Sequence, residues 1–260
     1  MYENRYVLFL DILGFKKIIE ETENEKGQTE KIENLIEALT EMKRIVSRMP
    51  KKTSKIVTQF SDSIVVSFKE DDVKEIPIFL TNIHKLIANL AMKNIFCRGA
   101  ISYGKIYHTK DFVFGPALVD AYLTESEAAI YPRVIFDKSI IDIMKNNYSF
   151  NKNDSYRAIR FDGTIESYLK FDLDDKLYVD FFSRAAYYYR NEDLFEYYKS
   201  LRKSINNGLK FKSPGIKAKF GWMKNKYNKL ASDFLKADEE EEVFYGRPDI
   251  QKFVNEFKKI

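Results

Sequence analysis

The chain has 260 residues, 45% hydrophobic and 32% charged, with a formal net charge of +4 at pH 7. That composition fits a soluble globular protein of one or two domains with a sizeable core, and excludes a disordered or fibrous chain. A single cysteine, Cys97, excludes an internal disulfide or a cysteine zinc site, and two histidines, His84 and His108, argue against a His-rich metal centre or a Ser-His-Asp triad. Any metal is expected to be a hard cation held by carboxylates. No apolar run reaches the roughly 18 residues of a membrane helix. The short apolar N-terminal stretch is broken by Asp11 and has no small-residue cleavage site, so it reads as no secretory leader and the expected location is cytoplasmic. The charge is too mild to argue for nucleic acid by itself.

In chain order, Tyr6 to Leu10 is an apolar run of strand length that ends at Asp11, as in a strand buried on both faces. Residues 29–48 are predicted to be helical, with Ile32, Leu35, Ile36, Leu39 and Met42 on the buried stripe. Ile56 to Phe68 reads as two strands around a tight turn at Ser61-Asp62-Ser63. A helix over 75–93 buries Ile76, Phe79, Leu80, Ile83, Leu86, Ile87 and Leu90, with His84 beside them as a structural, partly buried side chain. Phe96 to Tyr103 is a strand, Gly104 punctuates it, and Lys105 to Thr109 is expected to be its partner. Gly115-Pro116 opens a helix to Ala128, Arg133 to Phe136 is a strand, and a helix follows to Lys145. Further on come short strands at Ala158 to Phe161 and Leu177 to Phe182, then helices at 192–206, 215–236 and 249–258. The expected class is α+β, with a ferredoxin-like βαββαβ core and its helices on one face. The expected organisation is a catalytic domain over 1–145, closing strands packed on it over 146–184, and a mainly helical extension over 185–260.

Two carboxylates stand out by placement. In that topology the first strand and the central hairpin lie side by side, so Asp11 and Asp62 project near each other at one edge of the sheet. Adjacent carboxylates repel unless a proton or a cation lies between them. Mg²⁺ or Mn²⁺ bridging them to a triphosphate is the economical solution. Two such ions, roughly 3.5–4 Å apart, suit an in-line displacement at phosphorus. Taken singly, each has a plainer reading: Asp11 caps the first helix and Asp62 is a turn residue.

LDILGF at 10–15 resembles the first metal motif of the class III nucleotidyl cyclase catalytic domain, an apolar strand followed by Asp and then Gly-Phe. QFSDSIVVSF at 59–68 is similar to that family's second metal hairpin, with Ser61 where Gly is usual. RGAISYGKIY at 98–107 resembles its Arg-x-Gly-Ile strand, and FGPALVDAYLTESEAA at 114–129 its Gly-led helix. The resemblance spans residues 5–137, with a last strand near 177–182. It implies that Asp11 and Asp62 hold two Mg²⁺ or Mn²⁺ ions, with the Ile12 carbonyl added to one. It also implies that Gly14 and Phe15 open a helix whose N–H groups receive phosphates.

The departures are as informative. The family's purine-reading Lys falls at Thr58, and its acidic partner falls at Phe112, with Asp111 one place off. Its transition-state Asn and Arg fall at Val119 and Leu123, or, shifted by one, at Asp120 and Thr124. Charge on the α-phosphoryl oxygens must then be met by another cation. Arg98, a candidate catalytic residue with Asp11 and Asp62, could meet it, as could Lys105, Lys110 or Arg133; the residues alone do not choose.

Two readings follow from the resemblance. One is an active cyclase with altered base selection, closest in character to the pyrimidine cyclases of the Pycsar antiphage systems. It would make a 3′,5′-cyclic monophosphate and pyrophosphate from CTP or UTP, with the base held by Thr58, Phe112 and Tyr122. The family implies a homodimer with active sites at the interface, and a signalling cyclase implies a separate effector that reads the product. The other reading is a degenerate domain that binds nucleotide or a partner without turnover. A third, separate reading takes the seven lysines and no acids between Lys210 and Lys229, interleaved with Phe211, Phe220, Trp222 and Tyr227, as a nucleic-acid surface. Those aromatics suit a core better, so nucleic acid is the least favoured partner. His108 is expected at the surface near a strand end, and Cys97 in the core.

Overall fold

A computed structural model of the protein describes residues 1–23, 28–47, 54–147, 163, 167–183, 185, 189, 191–236 and 257–260. Its first strand, β1 (Glu3–Ile12), carries the apolar run, and Tyr6, Val7, Leu8, Leu10 and Ile12 are all buried. Helices α1 (Phe15–Thr22) and α2 (Gln28–Ser47) follow, then the hairpin β2 (Ile56–Phe60) and β3 (Ser63–Lys69). A 3₁₀ turn, Glu70–Glu75, leads into α3 (Ile76–Met92). Next come β4 (Cys97–His108), β5 (Val113–Phe114), α4 (Pro116–Leu123) with a π turn at Thr124–Ala128, β6 (Val134–Phe136) and α5 (Ser139–Asn147). The last elements among the described residues are β7 (Leu169–Phe171), β8 (Leu177–Val179), α6 (Asn191–Leu209) and α7 (Pro214–Lys236).

The fold is mixed α+β. One sheet runs in the order β2-β3-β1-β4-β6-β8-β7, with β5 paired to the end of β4. Neighbours are antiparallel except β4 and β6. The apolar residues of β1 are buried because strands flank it and helices cover it. On one face Tyr6 meets Phe68, and Phe68 meets Phe79 of α3, with ring centroids 5.2 and 5.0 Å apart. The opposite face is covered by α4, so helices occupy both faces rather than one.

Two compact units divide the chain, Met1–Leu90 with Ile95–Asp180 and Ala91–Asn94 with Phe181–Ile260. The first contains the sheet. In the second, α6 and α7 bury Tyr197, Tyr198, Leu201, Trp222, Met223 and Tyr227. Tyr197 and Tyr198 donate hydrogen bonds to the carbonyls of Phe181 and Phe182 at 2.6 and 2.7 Å.

Some local expectations are corrected. The expected break at Gly104 does not occur, because β4 pairs with β1 from Ile106 opposite Glu3 to Cys97 opposite Ile12, and this ladder carries it through the glycine. Its hairpin partner is β5 instead. On α2 the buried stripe is Leu35, Ala38 and Met42, while Ile32 and Ile36 face solvent. β8 stops at Val179, short of Phe182. The strand expected at 158–161 lies outside the described residues, as does 249–256 of the last expected helix. Among the described residues no helix is long and apolar enough to cross a membrane.

Candidate functional site

Side chains alternate along a strand, so Arg5, Val7, Phe9 and Asp11 share one face of β1. Register sets Ser67, Val65 and Ser63 of β3 against Val7, Phe9 and Asp11, and Ser102, Ala100 and Arg98 of β4 against the same three. α4 lies across the middle of this face, where Ala117 and Ala121 pack on Val7, Val65 and Ile106. Polar clusters stand at both ends of that apolar band.

The first cluster gathers around Asp11. The hairpin loop between β2 and β3 has two residues, and Ser61 adopts a left-handed backbone with φ 46°. This is the position where a glycine would be unstrained. The loop tucks against the end of β1, with Ile12 N–H donating to the Asp62 carbonyl at 3.2 Å. Ser63 Oγ donates to Asp11 Oδ1 at 2.9 Å. Burial pushes the Asp11 carboxyl above its ordinary value; the Ser63 hydrogen bond opposes this, the Asp62 charge reinforces it, and Arg98 opposes it. Arg98 Nε is 3.6 Å from Asp11 Oδ2. The same Nε forms an ion pair with Glu125, whose side chain is almost fully buried on the π turn. Burial likewise lifts the Glu125 carboxyl, Arg98 lowers it, and Asp11 and Asp62 raise it further. Cys97 is buried nearby, its thiol pushed up by burial and by Asp11.

The structure thus brings together Asp11, Ile12, Asp62 and Arg98, and adds Ser63 and Glu125. Of the other cations considered, Arg133 is committed elsewhere, donating to Asp172 and Asp174 at 2.5 and 2.9 Å. Lys105 pairs in register with Asn4, near the opposite end of β1, and Lys110 follows β4 altogether. Arg98 alone among the four stands against Asp11. Gly14, with φ +77°, begins α1 ahead of Phe15, and no side chain caps that helix.

Among the described residues no group of three or more His, Cys, Asp or Glu side chains is arranged to hold a metal. A cation here would therefore draw two carboxylates from the protein and fill its other positions with backbone, water or phosphate oxygens. That is the habit of Mg²⁺, and two close carboxylates, one with its charge disfavoured by burial, form an oxygen donor set that fits it.

The second cluster lies at the other end of the face. Arg5, fully buried, donates through Nε to Ser67 Oγ at 2.8 Å and through Nη1 to Glu3 at 2.8 Å. Ser67 Oγ is 2.8 Å from His108 Nδ1, and His108 Nε2 is 2.9 Å from Thr58 Oγ1. His108 is therefore no surface residue: it is 6% exposed, and burial, with the Arg5 charge, lowers its pKa to about 4. Thr58 belongs to this chain of contacts. Tyr122 packs edge-on against Phe9 at 5.6 Å, between the clusters. Phe112, at a loop tip, is 65% exposed and has no ring partner among the described residues, so these three side chains do not close a pocket within one chain. Val119, Tyr122 and Leu123 are exposed on α4.

His84, expected to be structural, is buried with Nε2 2.7 Å from the Asp180 carbonyl. Trp222 and Tyr227 on α7 are buried and so offer no stacking face, while Phe211, ahead of that helix, is exposed.

No family model matches the chain, and no curated protein matches it. Solved structures do. Two structures of a bacterial light-regulated adenylyl cyclase each align at 15% identity with a TM-score of 0.44, over 78% of this chain and 58% of theirs. The chain spans less than two thirds of the length of those structures.

Proposed function

We propose that the protein is a nucleotidyl cyclase whose active site is the Asp11 end of the α4-covered face. The observation that carries this is the pairing of Asp11 with the Asp62 loop, which is bonded to the end of β1, while Arg98 stands opposite Asp11 in the ladder. The order β2-β3-β1-β4, antiparallel throughout, supports reading the core as ferredoxin-like. Asp11 and Asp62, with the Ile12 carbonyl, would hold two Mg²⁺ or Mn²⁺ ions, which supply positive charge to the phosphates and acidity to the ribose 3′-hydroxyl.

The 3′-oxygen attacks the α-phosphorus and gives its proton to water, and the bond from the α-phosphorus to the α,β-bridging oxygen breaks to release pyrophosphate. Arg98 offers its guanidinium to the phosphoryl oxygens as that charge builds. The start of α1 at Gly14 and Phe15, which no side chain caps, would receive phosphate oxygens.

A pyrimidine is the proposed base. Thr58 stands where a purine-reading lysine would, and it presents a hydroxyl already engaged by His108. Phe112 and Tyr122 would meet the base only when a second copy closes the site, which the exposed α4 residues Val119, Tyr122 and Leu123 support. The product would be read by a separate effector protein, as a signal in antiphage defence.

The degenerate reading rests on one observation: the exposed α4 positions Val119 and Leu123 are apolar where the family's Asn and Arg would act. One experiment separates the two. The protein is incubated with Mn²⁺ and each of the four nucleoside triphosphates beside Asp62→Ala, and products are read by mass spectrometry. A cyclic pyrimidine monophosphate from the wild type alone supports the cyclase. Metal-dependent nucleotide binding with no product supports the degenerate domain.

A further inference from the structure

Arg98 is shared between two acids on different elements. Its Nε lies 3.6 Å from Asp11 and forms the ion pair with Glu125. That contact lacks hydrogen-bond geometry, and Glu125 Oε1 makes no other hydrogen bond. The terminal nitrogens of Arg98 have no hydrogen-bond partner among the described residues, and the side chain is 27% exposed. The guanidinium is thus held by its inner edge, with its outer donors open.

The placement of Glu125 is built into the fold. The π turn that carries it closes through Ala129 N–H to the Thr124 carbonyl at 2.9 Å. Ala128 and Ala129 pack on Ala100 and Ile135, and Ala100 is the next residue after Arg98 on the same face of β4. Two small residues let the turn reach the sheet there and bring a nearly fully buried carboxylate to the guanidinium. π turns are frequent at functional sites.

Resting on the cyclase reading, we propose that Glu125 is a positioning residue for Arg98. It holds the guanidinium off Asp11, which keeps the Asp11 and Asp62 carboxylates open to a divalent cation and leaves the outer N–H groups of Arg98 for a phosphate. Without the Glu125 charge, Asp11 is the anionic partner left to Arg98, and the guanidinium competes with the cation for the same carboxylate.

The test is a double-mutant cycle read by Mn²⁺ binding to the nucleotide-free protein, using calorimetry or the electron paramagnetic resonance of free Mn²⁺. Glu125→Gln is expected to weaken Mn²⁺ roughly tenfold, and Arg98→Met to tighten it by about threefold. In the R98M background, E125Q is expected to change affinity by less than about twofold. An equal tenfold loss in both backgrounds would mean that Glu125 acts on the ion directly, and would overturn the inference. Should E125Q not fold, Glu125→Asp keeps the charge but draws it back from Arg98 by one methylene, and is expected to weaken Mn²⁺ in the Arg98 background only. If Asp62→Asn abolishes Mn²⁺ binding while the Glu125 variants leave it unchanged, this inference alone fails. If the wild type binds no Mn²⁺, or binds it regardless of D62N, the catalytic reading fails and takes the inference with it.

Discussion

Asp11 and Arg98 are register partners across β1 and β4, and their charged groups stand 3.6 Å apart on one face of the sheet. Pairing with Arg98 does not restore the Asp11 carboxyl to its ordinary range, because burial and the Asp62 charge outweigh it. A carboxylate kept charged against its surroundings destabilises the fold and suits a site that binds cations.

Asp11→Asn should therefore separate stability from function. In metal-free buffer the neutral side chain is expected to raise stability by about 0.5–1 kcal/mol, since the cost of burying the charge and then the repulsion with Asp62 disappear, while Ser63 keeps an acceptor. Cyclase turnover with Mn²⁺ is expected to fall at least about a hundredfold. Denaturant melts and product assays on the same preparation check both. A variant that is less stable and equally active would contradict this account of the site.

The His108 contacts lead to a pH dependence. The imidazole titrates at about 4 when folded, against an ordinary value of 6.5. Below pH 6.5 the unfolded chain therefore takes up a proton that the folded one refuses. Stability present above that pH should fall as the solution is acidified toward pH 4, by up to about 2 kcal/mol at pH 5. Asp11 and Glu125, with carboxyls raised in the fold, contribute in the opposite sense, favouring the folded state as they protonate. The measurement is therefore the difference between wild type and His108→Gln across this range. It should narrow steadily on acidification, and parallel curves would refute it.

The parts of this arrangement visible in the sequence are those set by local pattern. The apolar run Tyr6 to Leu10 has the length of a strand buried on both faces, and the small polar residues Ser61-Asp62-Ser63 between β-branched runs signal a hairpin. What was hidden depends on distant register. Whether His108 is buried turns on β4 running straight through Gly104, which the ladder with β1 decides and no local pattern announces. Glu125 sits among ordinary polar residues in TESEA, and only the π turn and the small residues beneath it bring its carboxylate to Arg98. Arg5, a charged residue in an apolar strand, is buried because Ser67 and Glu3 meet it; Ser67 comes from the register of β3, while Glu3 lies two residues back on the same face of β1.

Ser61 gives a prediction about the hairpin. Its φ of 46° places a side chain in the left-handed region, at a strain of about 1–2 kcal/mol. Ser61→Gly relieves that strain but loosens the unfolded chain, so the net gain is expected at about 0.5–1 kcal/mol. Chemical denaturation of the variant measures it. A loss of stability would mean that the Ser61 side chain holds the loop by contacts worth more than the strain.

Arg133 supplies the sharpest contrast between two acids on one partner. Its guanidinium is buried and donates to both Asp172 and Asp174, yet the Asp172 side chain is 3% exposed and that of Asp174 is 46% exposed. Removing the buried partner leaves a charge uncompensated in low dielectric, whereas water replaces the exposed one. Asp172→Ala is therefore expected to cost about 3–5 kcal/mol and Asp174→Ala no more than about 1 kcal/mol. The double replacement Arg133→Met with Asp172→Leu should recover much of the first loss, because it removes both buried charges together. Urea midpoints of the four proteins, wild type included, give the comparison. Equal losses from the two aspartates would show that Arg133 is solvated in solution, and that the link it makes from β6 to the turn between β7 and β8 contributes little to stability.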